Sequence, residues 1–440
     1  MEQNLTTGNL WKKMLVFSFP LMISNLLQVL FNMTDIAVVG HFAGALALGS
    51  VGSTTTLISL FTGFLIGMSS GVNVLIARFL GAKKAKEVEE ISHTAVILCF
   101  ITGILIGLIG IFGSRPILTL LHTKDELMNG ALLYLRIYFI GMPALALYNY
   151  GNAVFSAAGN TKKPLFFLTF AGILNIILNL FFVIVCNLNV AGVAYASILS
   201  QYVSAICILF SLFRTKECFG LSFHKLALNK DKTKILLTLG IPSAFQYAIF
   251  QIANLFIQFG VNSFDANMVS GNSAAANADA VVYDVMAAFY TAGSSFIGQN
   301  YGAGNKKRIR SSYLISLAYS FGFGLILGLS LLLFGNQFLS LFTKDALVLS
   351  AGMKRLRIMS VSYAFSALMD ASIAASRGLG KSLIPTIIVI LGSCVFRVIW
   401  VFTVFAYFHT IPSLYLLYIF SWGITGIVEA AYFLKIYRKL

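Results

Sequence analysis

The sequence contains few charged residues and no clustered histidine or cysteine pattern of a metal site. Only 10% of the 440 residues are charged, whereas 58% are hydrophobic. The five cysteines are odd in number and scattered, so they indicate neither a disulfide framework nor a zinc site. The five histidines are dispersed, and no HExxH pattern occurs. These absences argue against a disulfide-stapled domain and against an enzyme.

Long apolar runs take the place of the missing polar residues. Each run has about 20 or more residues, which is enough for a helix to cross the hydrocarbon core of a bilayer. The predicted spans are 14–39, 51–77, 91–113, 131–157, 164–186, 190–213, 235–262, 273–297, 312–334, 351–375, 385–408 and 413–434. The sequence therefore predicts an all-α membrane protein with twelve transmembrane helices.

The formal net charge of +16 is a topology signal. The basic residues lie between the apolar spans, so we expect membrane lipid and no nucleic acid as a partner. If both termini are cytoplasmic, 23 of the 31 Lys and Arg residues fall in cytoplasmic segments, in agreement with the positive-inside rule. The polar segment 1–13 has no small-residue cleavage site, and we interpret it as a retained cytoplasmic tail.

The second half of the sequence repeats the first at an offset of 220 to 222 residues. Matching pairs are Pro20 and Pro242, Asn32 and Asn254, Gly159 and Gly380, and the strings TKDEL (123–127) and TKDAL (343–347). Matches at a near-constant offset over most of the chain indicate a duplicated fold.

The repeat predicts the domain organisation. Because each half has six spans, both halves enter the membrane in the same orientation and form a parallel repeat. We expect two pseudo-symmetric six-helix lobes around a central cleft, with an N-terminal lobe at 1–213, a cytoplasmic linker at 214–234 and a C-terminal lobe at 235–440. This arrangement suits alternating access, in which one lobe rocks against the other.

Polar residues inside the spans of the first half are candidates for a cation site. An ionisable group in hydrocarbon costs about 2 to 3 kcal/mol or more, so each one needs an explanation. The residues are Asp35, Asn175, Asn179 and Ser197, and their repeat partners are Ile257, Phe396, Trp400 and Tyr418. Asn175 and Asn179 share a helix face, and Asp35 would complete an oxygen-rich pocket for Na⁺ or a proton. The alternative is a set of interhelical hydrogen bonds around a protonated aspartate.

The second half carries unmatched charges of its own at Asp279, Asp284, Asp370 and Arg397. Asp284 lies nearer mid-depth than Asp279 and is the better candidate for the cleft. An unpaired guanidinium is implausible at mid-depth, so Asp284 or Asp370 is the expected counter-ion of Arg397. The group is either a static ion pair or a second site for a proton or for substrate. Glu429, near the inner end of its helix, is expected to snorkel to the surface without a function.

Two further patterns concern a cavity wall and helix bending. Tyr283 and Met286 lie on one helix face with Asp279 and Tyr290, and we interpret this stripe as a possible cavity wall. Pro20 and Pro242 each remove a backbone hydrogen bond early in an equivalent helix, which permits bending. The alternative is that each proline is tolerated in the first turns of its helix.

Several strings resemble one transporter family. They are FNMTDIAVVGHFAG (Phe31–Gly44), RFLGAK (Arg78–Lys83), GQNYGAG (Gly298–Gly304), RGLGKS (Arg377–Ser382) and RVIW (Arg397–Trp400). Together they resemble the prokaryotic multidrug and toxic compound extrusion family, and the resemblance covers essentially the whole chain.

The resemblance implies an antiporter of the bacterial inner membrane that acts as a monomer without a cofactor. It would expel small amphiphilic compounds, often cationic, against inward flow of H⁺ or Na⁺. The cation residues of the first lobe match Asp35, Asn175, Asn179 and Ser197, although many relatives have aspartate in place of Asn179. Pro20 matches a proline at which the first helix bends in some relatives, and Asp370 lies on the helix that carries an acid in others. The alternative in the same superfamily is a flippase of a lipid-linked saccharide.

Overall fold

The computed structural model describes residues 4–121 and 123–440, and every regular element in these ranges is helical. Eleven helices of the described chain are long and apolar enough to cross a membrane, and one bent pair adds a twelfth span. In chain order they are α1 (Leu10–Ala43), α2 (Leu46–Gly81), α3 (Ala85–Leu120), α4 (Asp125–Ile140 with Met142–Ala157), α5 (Lys162–Val185), α6 (Asn189–Arg214), α7 (Lys230–Val261), α8 (Ala266–Gly302), α9 (Lys306–Leu339), α10 (Ala346–Gly378), α11 (Leu383–Phe408) and α12 (Ile411–Arg438). The predicted all-α fold of twelve membrane helices is confirmed.

Helix α4 differs from the straight span predicted at 131–157. Its two parts meet at Gly141 at an angle of 47°. Pro143 has no N–H to donate to the carbonyl of Phe139 four residues earlier, so the helix breaks there. Gly107 of α3 packs against this carbonyl, and a Cβ at Gly107 would lie 2.9 Å from the oxygen. At the bend, α3 therefore approaches α4 so closely that a side chain at Gly107 would force a shift.

Widened π-helical turns lie next to the polar residues that the sequence singles out. One turn, Val39–Ala43, follows Asp35 in α1, and another, Phe181–Val185, follows Asn179 in α5. A third, Val401–Phe405, occupies the repeat-equivalent place in α11, after Arg397. Such turns are rare in helices and concentrate at functional sites.

The helices form two compact units. The boundaries of these units differ from the predicted boundaries of the two lobes. The first unit contains Leu26–Ala248, and the second contains Leu5–Asn25 and Ile249–Leu440. The beginnings of α1 and α7 thus belong to the unit built from the other half of the sequence. In the second unit, for example, the ring of Phe17 packs on that of Phe296 at 5.5 Å.

The segment predicted as a linker, 214–234, is attached to the first unit. The backbone N–H of Ser222 donates to His93 Nε2 at 2.9 Å, and Lys225 forms an ion pair with Glu89. Lys232, at the start of α7, pairs with Glu87. The segment therefore packs on the polar end of α3.

A glycine pair holds the beginning of α7 in the first unit. Gly67 and Gly71 of α2 form a GxxxG motif, which lets two helix backbones approach closely. A Cβ at Gly67 would lie 2.5 Å from Cα of Ala244, and one at Gly71 would lie 2.9 Å from the nitrogen of Gly240. Pro242 lies between these contacts and well inside α7, as Pro20 lies inside α1. Neither proline is in a first turn, so that alternative is wrong.

Substitution Gly67→Ala should destabilise the protein by about 1–3 kcal/mol, because the added methyl group overlaps backbone atoms that cannot rotate away. The measurement is the unfolding temperature in one detergent. Gly52→Ala is the matched control, since Gly52 lies on the same span with no atom within 4 Å of the added Cβ. Equal unfolding temperatures for the two variants would contradict the close packing of α2 on α7.

Candidate functional site

A cavity of about 280 Å³ lies inside the first unit. Its wall combines aromatic rings with hydroxyl and amide groups, and Asp35 is the one charged side chain among its lining residues. Helices α1, α2, α4, α5 and α6 contribute Gln28, Phe31, Asn32, Asp35, Thr55, Thr62, Tyr134, Tyr138, Asn149, Asn175, Ser197 and Gln201, among others. A chamber of this size, mostly apolar with a few convergent polar groups, is typical of a small-molecule site.

The four polar residues predicted for the first lobe form one hydrogen-bonded cluster. Asn179 Nδ2 donates to Asp35 Oδ1 at 2.5 Å and to Asn175 Oδ1 at 3.1 Å. Ser197 Oγ donates to the second carboxylate oxygen, Asp35 Oδ2, at 3.0 Å. Asn175, Asn179 and Ser197 are buried, and Asp35 is half-buried at the edge of the cavity. The structure therefore brings α1, α5 and α6 together around one carboxylate.

The chemistry of this cluster suits a small hard cation or a proton. Its acceptors are all oxygens, which are the ligands that hard cations such as Na⁺ prefer. Asn179 Oδ1 is buried and has no hydrogen-bond partner among the described residues. A cation beside Asp35 would give this oxygen a partner, and a proton on Asp35 would remove the charge from the hydrocarbon. The cation-binding role of the four residues stays a prediction.

Two tyrosines of the cavity escaped the sequence prediction. The rings of Tyr134 and Tyr138 stack at 5.8 Å, one helical turn apart on α4. In the repeat, Tyr134 is the partner of Arg355. Comparison of the two halves at this position would have identified Tyr134 and Arg355 as residues specific to one half. Pro143 marks the break of α4 in the local sequence, but nothing there indicates that the rings turn inward.

In the second unit, Asp370 of α10 is bonded to α8. Tyr283 Oη donates to Asp370 Oδ2 at 2.7 Å, so these two predicted residues do meet. Asp284 accepts a hydrogen bond through its backbone carbonyl from Asn25 Nδ2 at 2.9 Å. Met286 is only 1% exposed and packs in a hydrophobic core cluster, which does not support its predicted place on a cavity wall.

The expected ion pair between Arg397 and Asp284 or Asp370 is wrong. Within the described chain, Arg397 forms no ion pair, although its side chain is buried. Its Cζ lies 4.7 Å from the ring centroid of Tyr418, 5.3 Å from that of Phe250 and 5.4 Å from that of Trp422. The negative faces of these rings attract the guanidinium in place of a carboxylate.

Arg397 also has neutral hydrogen-bond partners. Its Nε donates to Ser421 Oγ and its Nη1 to Asn254 Oδ1, each at 3.3 Å. Asn254 is the repeat partner of Asn32, which lines the cavity of the first unit. Sequence reasoning missed this solution because it counted only carboxylates as partners for a buried cation.

Two other acids are placed differently from the expectation. Asp279 forms an ion pair with the buried Arg355 and accepts a hydrogen bond from Tyr363 Oη at 2.5 Å. Glu429 does not snorkel. It is fully buried, and neither carboxylate oxygen has a hydrogen-bond partner in the described residues. Nearby charges are those of Arg377 and Asp370.

Comparison of the sequence with known proteins identifies one family and several relatives. The sequence matches the MatE family over residues 20–181 and 242–403, one match in each half. It is 30% identical over 365 residues to a probable multidrug resistance protein, YpnP, of Bacillus subtilis, and the match covers 82% of this chain and 81% of that protein. It is 25% identical to a FAD transporter of Shewanella oneidensis, with 79% of this chain and 78% of that protein covered.

Solved structures show the same fold. A crystal structure of a MATE protein in complex with MaL6 superposes with a TM-score of 0.92. The superposition covers 99% of this chain and 98% of the other, at 21% sequence identity.

Substitution Arg397→Lys should destabilise the protein by about 2 kcal/mol, because a compact ammonium cannot stack on three rings as a planar guanidinium does. The measurement is again the unfolding temperature in detergent. Arg438→Lys, at the exposed end of α12, is the matched control and should change nothing. Equal stability of Arg397→Lys and wild type would show that the rings do not hold this cation.

Proposed function

Because the chain belongs to the MatE family, the multidrug and toxic compound extrusion transporters, we propose that it exports small amphiphilic compounds in exchange for inward-moving H⁺ or Na⁺. Family membership makes it an integral membrane transporter and not an enzyme. The direction, the coupling ion and the class of cargo are our proposal.

The observation that carries this proposal is the Asp35 cluster at the wall of the cavity. Asp35 lines the cavity and also accepts a hydrogen bond from the buried amide of Asn179 on α5. A cargo molecule in the cavity and a coupling ion beside the amides would therefore compete for one carboxylate. When a cation or proton neutralises Asp35, a cationic cargo loses its electrostatic partner and can leave. Antiport requires exclusion of this kind between ion and cargo.

Cationic, aromatic cargo fits the lining better than anionic cargo. The rings of Phe31, Tyr134 and Tyr138 supply flat apolar surface and cation–π attraction. Because Asp35 is the charged residue of this wall, a phosphate-bearing cargo would meet repulsion there. The flippase of a lipid-linked saccharide and an exporter of FAD-like anions both need a basic wall, so we do not favour them.

We further propose the bacterial plasma membrane as the location, with both termini cytoplasmic and the chain acting as a monomer. The predicted lobes, 1–213 and 235–440, would alternate access to the site. In this scheme the bending of α1 at Pro20 and of α7 at Pro242 accompanies the change of state, since each proline lies inside a long helix.

The test is transport of a fluorescent aromatic cation in proteoliposomes under an imposed pH or Na⁺ gradient. We expect wild type to respond to one of the gradients, and Asp35→Asn to lose about tenfold or more of the gradient-driven rate, because the amide cannot carry the coupling charge. Asp231→Asn, an exposed acid at the start of α7, is the matched control and should keep the full rate.

Two results would contradict the proposal at different points. If neither gradient drives transport by the wild type, coupled antiport is wrong. If Asp35→Asn keeps full coupling to the gradient, the cation site lies elsewhere in the protein.

A further inference from the structure

A second cavity, of about 510 Å³, lies in the first unit and shares no lining residue with the Asp35 chamber. It is an open groove between the beginning of α5 and the end of α6. Its lining residues are Lys163, Phe167, Cys207, Phe210, Ser211, Arg214, Thr215 and Glu217. The groove therefore combines two cations with aromatic side chains one turn further into each helix.

Aromatic rings, and not carboxylates, accompany the two cations. Lys163 Nζ lies 5.1 Å from the ring centroid of Phe155, and Arg214 Cζ lies 4.2 Å from that of Phe210. Neither side chain forms an ion pair in the part of the chain that the structure describes. Glu217 is the acid of the lining and is exposed, so the groove keeps a net positive charge. Both cations can therefore accept an anionic partner.

The groove continues into a surface that must face lipid tails. Phe166 and Phe170, one turn apart on α5, are 69% and 53% exposed. On α6, Ile206 and Phe210 are 63% and 55% exposed. A ligand that fills the groove therefore meets charge at the helix ends and apolar surface along the helices. Phospholipids with an anionic headgroup have this polarity, and basic pockets between membrane helices bind such headgroups.

The repeat shows that the fold does not need this pair of charges. At the offset of 221 residues that aligns Pro164 with Pro385, Lys163 corresponds to Ile384 and Arg214 corresponds to Lys435. The second half therefore has one cation where the first half has two, and it folds into the same six spans. A structural requirement for Lys163 would apply to both halves.

We propose that this groove is a binding site for an anionic phospholipid. Lys163 and Arg214 hold its phosphate group, and its acyl chains lie along Phe167 and Phe210. The site is separate from the transport cavity, and its occupation does not depend on the proposed antiport.

The test is lipid binding to the purified full-length protein, measured by native mass spectrometry with phosphatidylglycerol and with phosphatidylcholine. The double variant Lys163→Gln/Arg214→Gln removes both groove cations. We expect it to lose about tenfold or more in apparent affinity for phosphatidylglycerol, because it removes both positive charges that attract the anionic headgroup. Binding of phosphatidylcholine, which has no net charge, should be weak in all variants.

The matched control is Lys162→Gln/Lys216→Gln, which removes two exposed cations adjacent in sequence to the groove residues and outside its lining. It should keep the wild-type affinity. An equal loss in both double variants would overturn the proposal, because it would mean unspecific attraction to a basic surface. Displacement of the lipid by equimolar glycerol phosphate would also overturn it, in favour of a soluble anion site.

A third variant and a stability measurement distinguish loss of the binding site from misfolding. Lys163→Arg keeps the charge and should keep the affinity, and all variants should unfold at the wild-type temperature in phosphatidylcholine. If Lys163→Gln/Arg214→Gln binds phosphatidylglycerol as wild type does, no anionic lipid is held by these residues and the proposal fails.

Discussion

The constraint on which the rest of this structure depends is the cost of a charge in hydrocarbon. Three of the protein's charged side chains meet this cost in three different ways. Asp35 is surrounded by amide and hydroxyl donors, Asp279 is paired with Arg355, and Arg397 is enclosed by aromatic rings. The three solutions differ in how readily they can change. An ion pair with a tyrosine bond is fixed, because the loss of one partner would leave a buried charge alone. Neutral donors around a carboxylate can turn to other partners.

The duplicated fold places different chemistry on equivalent helices. In the first unit, α1, α5 and α6 surround a carboxylate, whereas in the second unit α7, α11 and α12 surround a guanidinium. Tyr418, which stacks on Arg397, is the repeat partner of Ser197, which bonds to Asp35. A wide π turn follows the polar residues in α5 and again in α11. The fold thus provides one site geometry twice, and the side chains decide whether it can receive a cation or already contains one.

The sequence was sufficient for the spans and for the membership of the first-lobe cluster. Long apolar runs report directly on hydrocarbon burial, and the i, i+4 spacing of Asn175 and Asn179 reports on a shared helix face. It was insufficient wherever the outcome depends on which helices meet. The aromatic partners of Arg397 and the burial of Glu429 both arise from contacts between residues far apart in the chain. The first part of α7 belongs to the first unit and is held there by glycine contacts such as that of Gly67 with Ala244. Hydrophobic periodicity cannot reveal contacts of this kind.

On the proposed function, the hydrogen bonds of Asp35 set the strength of coupling between ion and cargo. Asn179 Nδ2 donates hydrogen bonds to both Asp35 and Asn175. A cation that binds between these oxygens must therefore first break one of the two hydrogen bonds. The displaced amide can turn its own oxygen toward the cation, which exchanges a donor for a ligand within the same buried side chain. Coupling free energies are reciprocal, so a bound cation weakens cargo binding at this carboxylate by the same factor as bound cargo weakens binding of the cation. A single acid with a reversible amide partner is therefore enough for exchange of one charge for another.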